Sequence, residues 1–373
     1  MKKDFVLEDK TEWARFATFV PNKHLPVYNW FYYKEGFSRF LVSELLKKFK
    51  IKKGLVLDPF CGVGTTNLVC KEKGIDSVGF DISPIALFAA RVKTRDYDVE
   101  KLKRTLSKLK KVKFKKPDIL WISSKIRRFF NKHTLDDIVF FMDEVKRIDD
   151  PVVRDFFHLA LITTAVRTSY IYKDGSVVKI RKHPVPPFRK VYFARTKRMM
   201  YDLKKIEFRP CKTIIEKCDA RMMKLDNNVI DAIITSPPYL NKIEYTKIYR
   251  IEELLFFGIA SREIGIRSYI GLKADTKKLF PELPDVANAY FSDMKKVLEE
   301  MWRVTKDNVK IAIVVGNGCF SNRVVESDIL LSYLARDIGF RVKKIIVLNK
   351  RWCMKNRVVK VGKLRESLLI MEK

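Results

Sequence analysis

The stretch LVLDPFCGVGTT, at residues 55–66, decides the fold of this 373-residue chain. Its first apolar residues predict a short buried strand, and Gly62 and Gly64 permit a tight turn into a helix. A second strand at residues 76–80 then leads to Asp81. A strand, a glycine turn, a helix and a second strand with an acidic end form a βαβ unit. We therefore predict an α/β fold with a doubly wound, Rossmann-like sheet that is mostly parallel.

The sheet pattern resumes in the last third of the chain. An apolar strand at residues 229–235 leads into the motif TSPPY at 235–239. Two late strands, at residues 343–348 and 367–371, are expected to pair antiparallel at the end of the sheet. Apolar periodicity predicts the remaining elements of this part: helices at 247–258, 298–304 and 329–338 and a strand at 310–315.

Residues 99–210 differ in composition from both flanking parts. They hold 29 basic and 12 acidic residues, a net charge of +17, against +15 in the other 261 residues. Apolar stripes predict mainly helices, whereas three prolines within residues 173–198 predict a basic loop, because proline interrupts a helix. We expect one domain from residues 1–98 and 211–373, and a basic, mainly helical insertion at 99–210 that recognises the substrate.

The net charge of the whole chain is the first functional signal. Lys and Arg number 76 against 44 Asp and Glu, a net of +32 at pH 7. Like charges repel in a compact protein, and their usual purpose is to hold a polyanion by displacing counterions from phosphates. We therefore expect a nucleic acid as partner. The absence of glutamine beside abundant charged residues is typical of thermophile proteins.

The sequence gives little support for a membrane partner, a secreted protein or a metal site. The chain has no run of about 18 apolar residues, and no basic amphipathic helix stands out, so no membrane partner is expected. The charged amino terminus lacks an apolar signal segment, which predicts a cytoplasmic protein. No C-x-x-C motif occurs, and the four histidines show no ligand spacing, so no metal site is predicted. The oligomeric state stays open.

The glycine turn suits a cofactor that contains adenosine. Gly62 and Gly64 let the backbone approach a ligand, and the helix that follows offers free N–H groups. Asp81, at the next strand end, is placed to hold two ribose hydroxyls. No lysine follows the second glycine, so the turn is not a phosphate-binding P-loop. A glycine pair alone would equally fit an ordinary strand-to-helix turn.

The motif TSPPY suits a flat base with an exocyclic amine. Two consecutive prolines fix the backbone, since each lacks an N–H and holds φ near about −65°. Carbonyl oxygens around Ser236 and Pro237 can then accept the N–H bonds of the amine, while Tyr239 stacks on the base. The alternative is a proline-stiffened loop with a core tyrosine.

Together the two motifs resemble those of the nucleic-acid amino-methyltransferases, the cytosine-N4 and adenine-N6 family. LDPFCGVGTT resembles their S-adenosylmethionine loop, and TSPPY resembles their catalytic motif in the form typical of cytosine-N4 enzymes. Adenine-N6 enzymes more often carry Asp or Asn where this chain has Ser236. The resemblance covers residues 22–98 and 211–371, with the cofactor loop ahead of the catalytic loop. The insertion lies ahead of Asp219, whereas the usual target-recognition insertion of the family lies elsewhere.

The resemblance implies S-adenosyl-L-methionine as cofactor and assigns residues to it. Asp81 matches the acid that binds ribose, and Asp219 matches the polar residue near the adenine ring. Residues 24–38, HLPVYNWFYYKEGFS, resemble the amino-terminal motif that packs near the methionine half. The full set expected to bind the cofactor is Asp58, Phe60, Gly62, Gly64, Thr65, Asp81, Asp219 and Thr235. The expected catalytic residues are Ser236, Pro237, Pro238 and Tyr239.

The implied reaction needs no covalent bond to the enzyme. The target base flips out of its stack, and its amine donates hydrogen bonds to Ser236 and the Pro237 carbonyl. These bonds free the nitrogen lone pair for in-line attack on the methyl group of the cofactor. Carbon-5 methylation would need Pro-Cys in the catalytic motif, so we interpret Cys61 as a packing residue. Tyr245 and Arg250, just beyond the loop, are either structural or substrate-facing.

The polymer is a separate question. Charge spread over the whole chain suits a large folded RNA such as rRNA, and we predict cytosine-N4 methylation of structured RNA. Methylation of DNA, at cytosine N4 or adenine N6, is the alternative, because enzymes with this motif pair commonly modify DNA. A non-catalytic nucleic-acid-binding protein on a methyltransferase scaffold is disfavoured by the intact motifs. A small-molecule amine methyltransferase is disfavoured by the charge.

Overall fold

The computed structural model describes residues 5–174, 177–240, 248–258, 266, 278–320, 323–355 and 359–373. Short 3-10 helices cover Thr11–Ala17, Val20–His24 and Tyr28–Trp30. The strands are β1 (Leu7–Asp9), β2 (Leu55–Asp58), β3 (Asp76–Asp81), β4 (Ile171–Asp174), β5 (Val177–Ile180), β6 (Thr213–Lys217), β7 (Ile230–Thr235), β8 (Thr305–Gly316), β9 (Gly318–Cys319), β10 (Val324–Val325), β11 (Arg341–Lys355) and β12 (Val359–Glu372). The helices are α1 (Arg39–Phe49), α2 (Thr65–Lys73), α3 (Pro84–Thr94), α4 (Val99–Lys111), α5 (Ser124–Arg127), α6 (Lys132–Lys146), α7 (Pro151–Arg167), α8 (Phe188–Leu203), α9 (Arg250–Phe257), α10 (Asp285–Val304) and α11 (Ser327–Ile338).

Eight strands form one sheet in the order β1-β11-β12-β8-β7-β2-β3-β6. β12 runs antiparallel to both of its neighbours, and the other pairs in the sheet are parallel. β2 lies inside the sheet, with Leu57 opposite Val78 of β3 on one side and Ile233 of β7 on the other. The predicted α/β fold, with a mostly parallel sheet and an antiparallel strand late in the chain, is therefore confirmed.

Helices cover both faces of this sheet. Along β2, Val56 packs into the core shared with α1, α2 and α3, while Leu57 packs into the core shared with α10 and α11. In β7, Ala232 and Ile233 divide between the same two cores in the same way. Strands that are buried on both faces are apolar at consecutive positions, which is why the sequence of these segments shows continuous apolar runs.

Residues 99–210 contain helices α4 to α8 and the two-stranded sheet β4–β5. The predicted loop at residues 173–198 is wrong in its second half, because α8 begins at Phe188. All three prolines precede that helix, and Pro187 occupies its N-cap, so none interrupts it. Phe188 and Tyr192 are buried and pack on Phe141 of α6. This burial of two aromatic rings stabilises the helix.

Helix α8 also anchors the amino-terminal arm of the chain. The Arg195 guanidinium donates to the carbonyls of Asn29 and Trp30, both at 2.8 Å. The fully buried Asp202 carboxylate accepts from the Trp30 indole at 3.2 Å and from the Asn29 amide at 3.0 Å. The arm is thereby fixed just ahead of residues 31–36, which reach the site described below.

Two cysteines that the sequence left unassigned form a disulfide. Cys319 lies in β9, and Cys353 lies in β11, with their Cα atoms 5.8 Å apart. Cys61 is buried, with a pKa raised well above its usual range by burial, as a packing residue would be. Among the described residues, no helix is long and apolar enough to cross a membrane.

Candidate active site

The two motifs meet at one edge of the sheet. The glycine turn follows β2, Asp81 ends β3, and the TSPPY motif follows β7. These three strands are parallel, and β2 pairs directly with both of the others. Their carboxyl ends therefore lie side by side, where ligands of doubly wound sheets bind.

A buried hydrogen bond joins the cofactor loop to the catalytic loop. The Thr235 hydroxyl donates to the Asp58 carboxylate at 2.6 Å, and both residues are buried to 1% exposure or less. The hydroxyl of Thr66, in α2, donates to the Ile234 carbonyl at 3.2 Å. Burial raises the pKa of Asp58 to about 6, although the threonine hydroxyls favour its charged form. These bonds fix the start of the TSPPY motif against the glycine turn.

The glycine turn has the backbone that a close ligand approach requires. Gly62 and Gly64 have φ of +50° and +75°, in the left-handed region that favours glycine. A Cβ on Gly62 would lie 3.0 Å from the Tyr33 ring. Gly64 is the N-cap of α2, and Thr65, its first residue, is buried. The N–H of the partly buried Phe60 donates to Asp58 at 3.2 Å, which closes the turn.

Asp81 is held in place by the backbone around it. Its carboxylate accepts from the N–H of Gly62 at 2.9 Å and from the N–H of Ser83 at 2.8 Å. Burial raises the pKa of this carboxyl, against the effect of those N–H groups. Each carboxylate oxygen has a second lone pair, so both can still accept a ribose hydroxyl. The open glycine turn and this oriented acid fit an adenosine-containing cofactor.

Asp219 lies next to Asp81 but is engaged by another side chain. It follows β6, where the N–H of Cys218 donates to the Asp81 carbonyl at 3.2 Å. The Arg221 guanidinium binds both Asp219 oxygens, at 3.0 Å and 2.6 Å. Burial raises the pKa of Asp219, but the guanidinium outweighs it and the net shift is downward. The assignment of Asp219 to the adenine ring stays a prediction.

The amino-terminal arm contacts both halves of the site. Tyr33 borders Gly62 and stacks on Tyr249, with ring centroids 5.2 Å apart. The Tyr249 hydroxyl donates to Glu35 at 2.9 Å. Burial raises the pKa of Glu35, so this carboxyl is in an apolar setting. Tyr33 of this arm thus reaches the glycine turn, while the assignment of residues 24–38 to the methionine half of the cofactor stays a prediction.

Helix α9 returns from the catalytic loop to the cofactor side. The Ser83 hydroxyl donates to Glu253 at 3.1 Å, next to Asp81, and Glu253 is 2% exposed. The helix predicted at residues 247–258 is confirmed from residue 250 onward, and residue 247 lies outside the described residues. Tyr245 also lies outside them, while Arg250 is exposed.

Tyr239 is positioned by a glycine and a glutamate from other strands. A side chain at Gly316, the last residue of β8, would overlap its ring. The Tyr239 hydroxyl donates to Glu366 of β12 at 2.8 Å. Pro237 is buried, whereas Ser236 and Pro238 are half-buried. The four predicted catalytic residues therefore form a rigid corner beside the cofactor turn.

A cavity of about 300 Å³ opens beside this corner. Asn317 lines it and is 5% exposed. Its side-chain oxygen accepts from the Asp328 N–H at 3.3 Å, while its side-chain nitrogen has no partner among the described residues. The cavity is bounded by segments far apart in the chain: residues 17–20, 32, 34–36, 239, 316, 317, 349, 351 and 364–366.

Glu366, Gly316 and Asn317 were missed by the sequence reasoning. One signal was available, since Gly-Asn-Gly at residues 316–318 directly follows the predicted strand at 310–315. Glycines at a strand end often mark a close approach of ligand or backbone. Within the described ranges, no three His, Cys, Asp or Glu side chains are grouped so that they could hold a metal ion.

Comparison with known proteins decides the family. The sequence model described as DNA methylase matches residues 9–91 and 230–373, more than half of the chain. The chain belongs to this DNA methylase family. The methylase is 25% identical over 460 residues to the type II methyltransferase M.BsoBI of Geobacillus stearothermophilus, covering 99% of this chain and 90% of that protein. It is 24% identical over 409 residues to the type II methyltransferase M.AvaI of Nostoc sp., covering 90% and 83%.

A shorter match and two solved structures complete the comparison. The methylase is 45% identical over 74 residues to the type II methyltransferase M.MjaII of Methanocaldococcus jannaschii, covering 20% of this chain and 14% of that protein. A putative DNA modification methylase from Thermus thermophilus, complexed with S-adenosyl-L-methionine, has a TM-score of 0.26 at 16% identity, covering 42% of this chain and 51% of that one. An S-adenosylmethionine-dependent methyltransferase from Methanosarcina mazei has a TM-score of 0.33 at 8% identity, covering 88% and 96%.

Membership of the family sets the general activity. The methylase uses S-adenosyl-L-methionine as its cofactor and transfers a methyl group to an exocyclic amine of a nucleic-acid base. The resemblance seen in the sequence to the cytosine-N4 and adenine-N6 enzymes is confirmed. The preference for structured RNA is not supported, and the alternative, DNA, agrees better with the family.

Proposed function

We propose that this protein methylates N4 of cytosine in double-stranded DNA. The observation that carries the proposal is the Asp58–Thr235 hydrogen bond of 2.6 Å, which holds the TSPPY corner against the glycine turn. The net charge of +32 is compatible with this substrate, because DNA and RNA carry the same phosphates. Charge alone therefore could not separate the two polymers, whereas the family description favours DNA.

The proposed cofactor site uses the residues grouped at the carboxyl ends of β2, β3 and β6. Asp81 holds the ribose hydroxyls, and the positive φ angles of Gly62 and Gly64 let the cofactor approach the backbone of the turn closely. Asp219 lies at the adenine end. When bound, S-adenosyl-L-methionine supplies an electrophilic methyl group.

The TSPPY corner orients the target amine. The carbonyl of Pro237 and the Ser236 side chain accept its two N–H bonds, which draws the nitrogen lone pair out of the ring system. Pro237 and Pro238 keep these acceptors fixed, so little reorganisation is needed at the moment of reaction. Ser236 is the feature that favours cytosine over adenine, since it matches the cytosine-N4 form of the motif.

The cavity beside Tyr239 is proposed to receive the flipped base. Its volume of about 300 Å³ is at the lower limit of small-molecule sites, which suits a single nucleobase. The ring of Tyr239 offers a stacking surface. The side-chain nitrogen of Asn317, which has no partner within the described ranges, can donate to a ring acceptor such as N3 or O2 of cytosine.

The insertion at residues 99–210 is proposed to contribute to substrate binding through its net charge of +17. Its first helix, α4, exposes several lysines, among them Lys108 and Lys111. Phosphate contacts of this kind position a nucleic acid without reading its sequence.

The test compares polymers and then products. Protein is incubated with labelled S-adenosyl-L-methionine and either protein-free genomic DNA from an unmethylated host or ribosomal particles, at equal nucleotide concentration. We expect label in DNA, and N4-methylcytosine after digestion to nucleosides. Label confined to RNA would overturn the choice of polymer, and N6-methyladenine in the DNA would overturn the choice of base.

A further inference from the structure

The last two strands continue beyond the sheet as a two-stranded ribbon. β12 pairs with β8 only as far as Glu366, which lies opposite Gly316. On the other side, β1 pairs with β11 at residues 345–347. β11 and β12 go on pairing with each other from Asn349 to Lys355. We call residues 349–354 and 359–365 the basic ribbon, and its length is roughly 20 Å at the usual rise of a strand.

The basic ribbon carries five basic residues and no acidic one. Two of them have structural partners: Lys350 pairs with Asp9, and Arg365 binds Asp328 at 2.8 Å and 2.9 Å. The three others, Arg351, Lys360 and Lys363, are exposed and form no ion pair with any described residue. Positive charge concentrated in this way, with no acidic neighbours on the ribbon, favours a polyanionic partner.

An exposed tryptophan lies among these charges. Trp352 is 46% exposed, and the ammonium groups of Lys360 and Lys363 lie 4.9 Å and 5.4 Å from its ring centroid. Lys363 is its direct cross-strand partner. Such contacts keep both lysines on the outer face of the ribbon, where their ammonium groups can also contact phosphates. Met354 and Val359, further along, are exposed as well.

The ribbon is braced at its base, so it can present these groups in a fixed direction. The Cys319–Cys353 disulfide ties β11 to the segment after β8. A Cβ on Gly362 would lie 3.0 Å from Val324 of β10, so that short strand packs against the ribbon. The Arg365–Asp328 pair attaches β12 to α11. A braced element loses little conformational freedom on binding.

The base of the ribbon is also a wall of the cavity beside Tyr239. Asn349, Arg351, Leu364 and Arg365 all line that cavity. Arg351 is exposed as well, so it lies where the cavity meets the surface. If the base of a nucleotide enters the cavity, the adjacent nucleotides of the same strand therefore lie close to the ribbon.

We propose that the basic ribbon contacts duplex DNA next to the flipped base, with Arg351 nearest the base and Lys360 and Lys363 on phosphates. This inference rests on the proposed function. The major groove, about 12 Å wide, admits a two-stranded ribbon, which makes this element suited to the groove that carries sequence information. The ribbon then acts in addition to the helical insertion and nearer to the reacting base.

The test removes Lys360 and Lys363, the two ribbon lysines that pair with no acidic side chain in the described part of the chain. Lys360→Ala/Lys363→Ala is compared with Lys52→Ala/Lys53→Ala, which removes the same charge from exposed residues at the amino end of β2, the opposite edge of the sheet. Affinity for a fluorescent mixed-sequence duplex is measured by anisotropy with S-adenosylhomocysteine present. We expect a loss of about tenfold or more for the ribbon variant at about 0.1 M salt, and a dependence of log K on log salt that is shallower by roughly 2.

A second variant addresses the aromatic ring. Trp352→Ala is expected to weaken duplex binding severalfold, and Trp352→Phe to restore most of it, with cofactor affinity unchanged in both. Thermal unfolding and cofactor binding report whether each variant is folded.

The outcomes separate this inference from the proposed function. A wild-type protein that methylates DNA, with a ribbon variant that binds duplex as tightly as wild type, overturns the ribbon alone. Equal losses in the ribbon and Lys52/Lys53 variants do the same, because they would show only an effect of total charge. A wild-type protein that neither binds nor methylates duplex DNA overturns both.

Discussion

The cofactor side and the base side of the site differ in how their buried polar groups are satisfied. On the cofactor side, Asp58 accepts from Thr235, and Asp81 accepts from two backbone N–H groups. On the base side, the Asn317 nitrogen and one oxygen of Glu35 are buried without a partner among the described residues. Buried polar groups normally find partners, so those left over are the ones that a substrate can use.

This difference indicates two ways of building a binding surface. The cofactor side is organised by the protein itself and is ready before any ligand arrives. The base side keeps a buried donor and a buried acceptor that have no partner among the described residues, and burying such groups costs stability in the free protein. Under the proposed function, a base whose donors and acceptors match these groups forms the missing hydrogen bonds on entering. A base that does not match leaves them unpaired.

The largest expected effect is on the base side, at Tyr239. Tyr239→Ala removes the stacking surface and is expected to lower methyl transfer by about a hundredfold or more, since base–aromatic stacking is worth about 1–3 kcal/mol and positioning is lost as well. Affinity for S-adenosylhomocysteine, measured by calorimetry, is expected to stay the same. Tyr239→Phe, which keeps the ring and loses the bond to Glu366, is the matched control and should retain most activity. Full activity of Tyr239→Ala would contradict the proposed site.

Asp81 gives the converse result on the cofactor side. Asp81→Ala removes an oriented carboxylate and is expected to weaken cofactor binding by about tenfold to a hundredfold, because hydrogen bonds to charged groups contribute about 1.5–3 kcal/mol. Calorimetry with S-adenosylhomocysteine measures it. Saturating cofactor should then restore much of the turnover on DNA. If affinity is unchanged while turnover falls, Asp81 belongs to the base side and the division of the site is wrong.

A smaller effect is expected at Asn317. Asn317→Ala removes the unpartnered donor, and kcat/KM for DNA should fall by about tenfold, with cofactor affinity unaffected. The comparison variant is Asn349→Ala, which removes a half-buried amide from the same cavity and should have less effect. Equal, small effects of the two variants would show that neither amide reads the base.

A different kind of effect, on folding and not on catalysis, is expected from the pH dependence of stability at Asp58. Its pKa is raised to about 6 in the folded protein, so folding favours the protonated carboxyl. Wild type should therefore lose stability from about pH 4 to about pH 6, by roughly 3 kcal/mol in total if the full shift is realised. Asp58→Asn stays neutral, so its melting temperature relative to wild type should rise over that range. A constant difference between the two proteins would mean that Asp58 titrates normally.

The elements and motifs that depend on residues close together in the sequence could be predicted from it. The βαβ unit, the strand before TSPPY and the antiparallel pairing of the two late strands could be read from apolar periodicity, glycines and prolines. Short motifs also placed Asp81 and Tyr239 at strand ends. Because parallel strands share one edge, these residues could be brought together without coordinates.

What the sequence could not supply depends on contacts between distant segments. The cavity wall joins Glu35, Asn317 and Arg351, which are separated by hundreds of positions or by a change of strand. Helix α8 was read as a loop because its prolines were weighed without the burial of Phe188 and Tyr192. The Cys319–Cys353 pair depends on the path of β11, which spacing alone does not reveal.

The position of β12 within the sheet affects how the protein folds during translation. This strand follows the other strands of the described sheet along the chain, yet it lies between β8 and β11 and contributes the buried Leu368, Leu369 and Met371. Domains fold as units, with earlier segments emerging first at about 5–20 residues per second. Until β12 emerges, β8 and β11 have no strand between them to pair with. Tyr239 also lacks Glu366, which accepts the hydrogen bond of its hydroxyl group. The corner formed by Tyr239 is therefore completed only when β12 has been made.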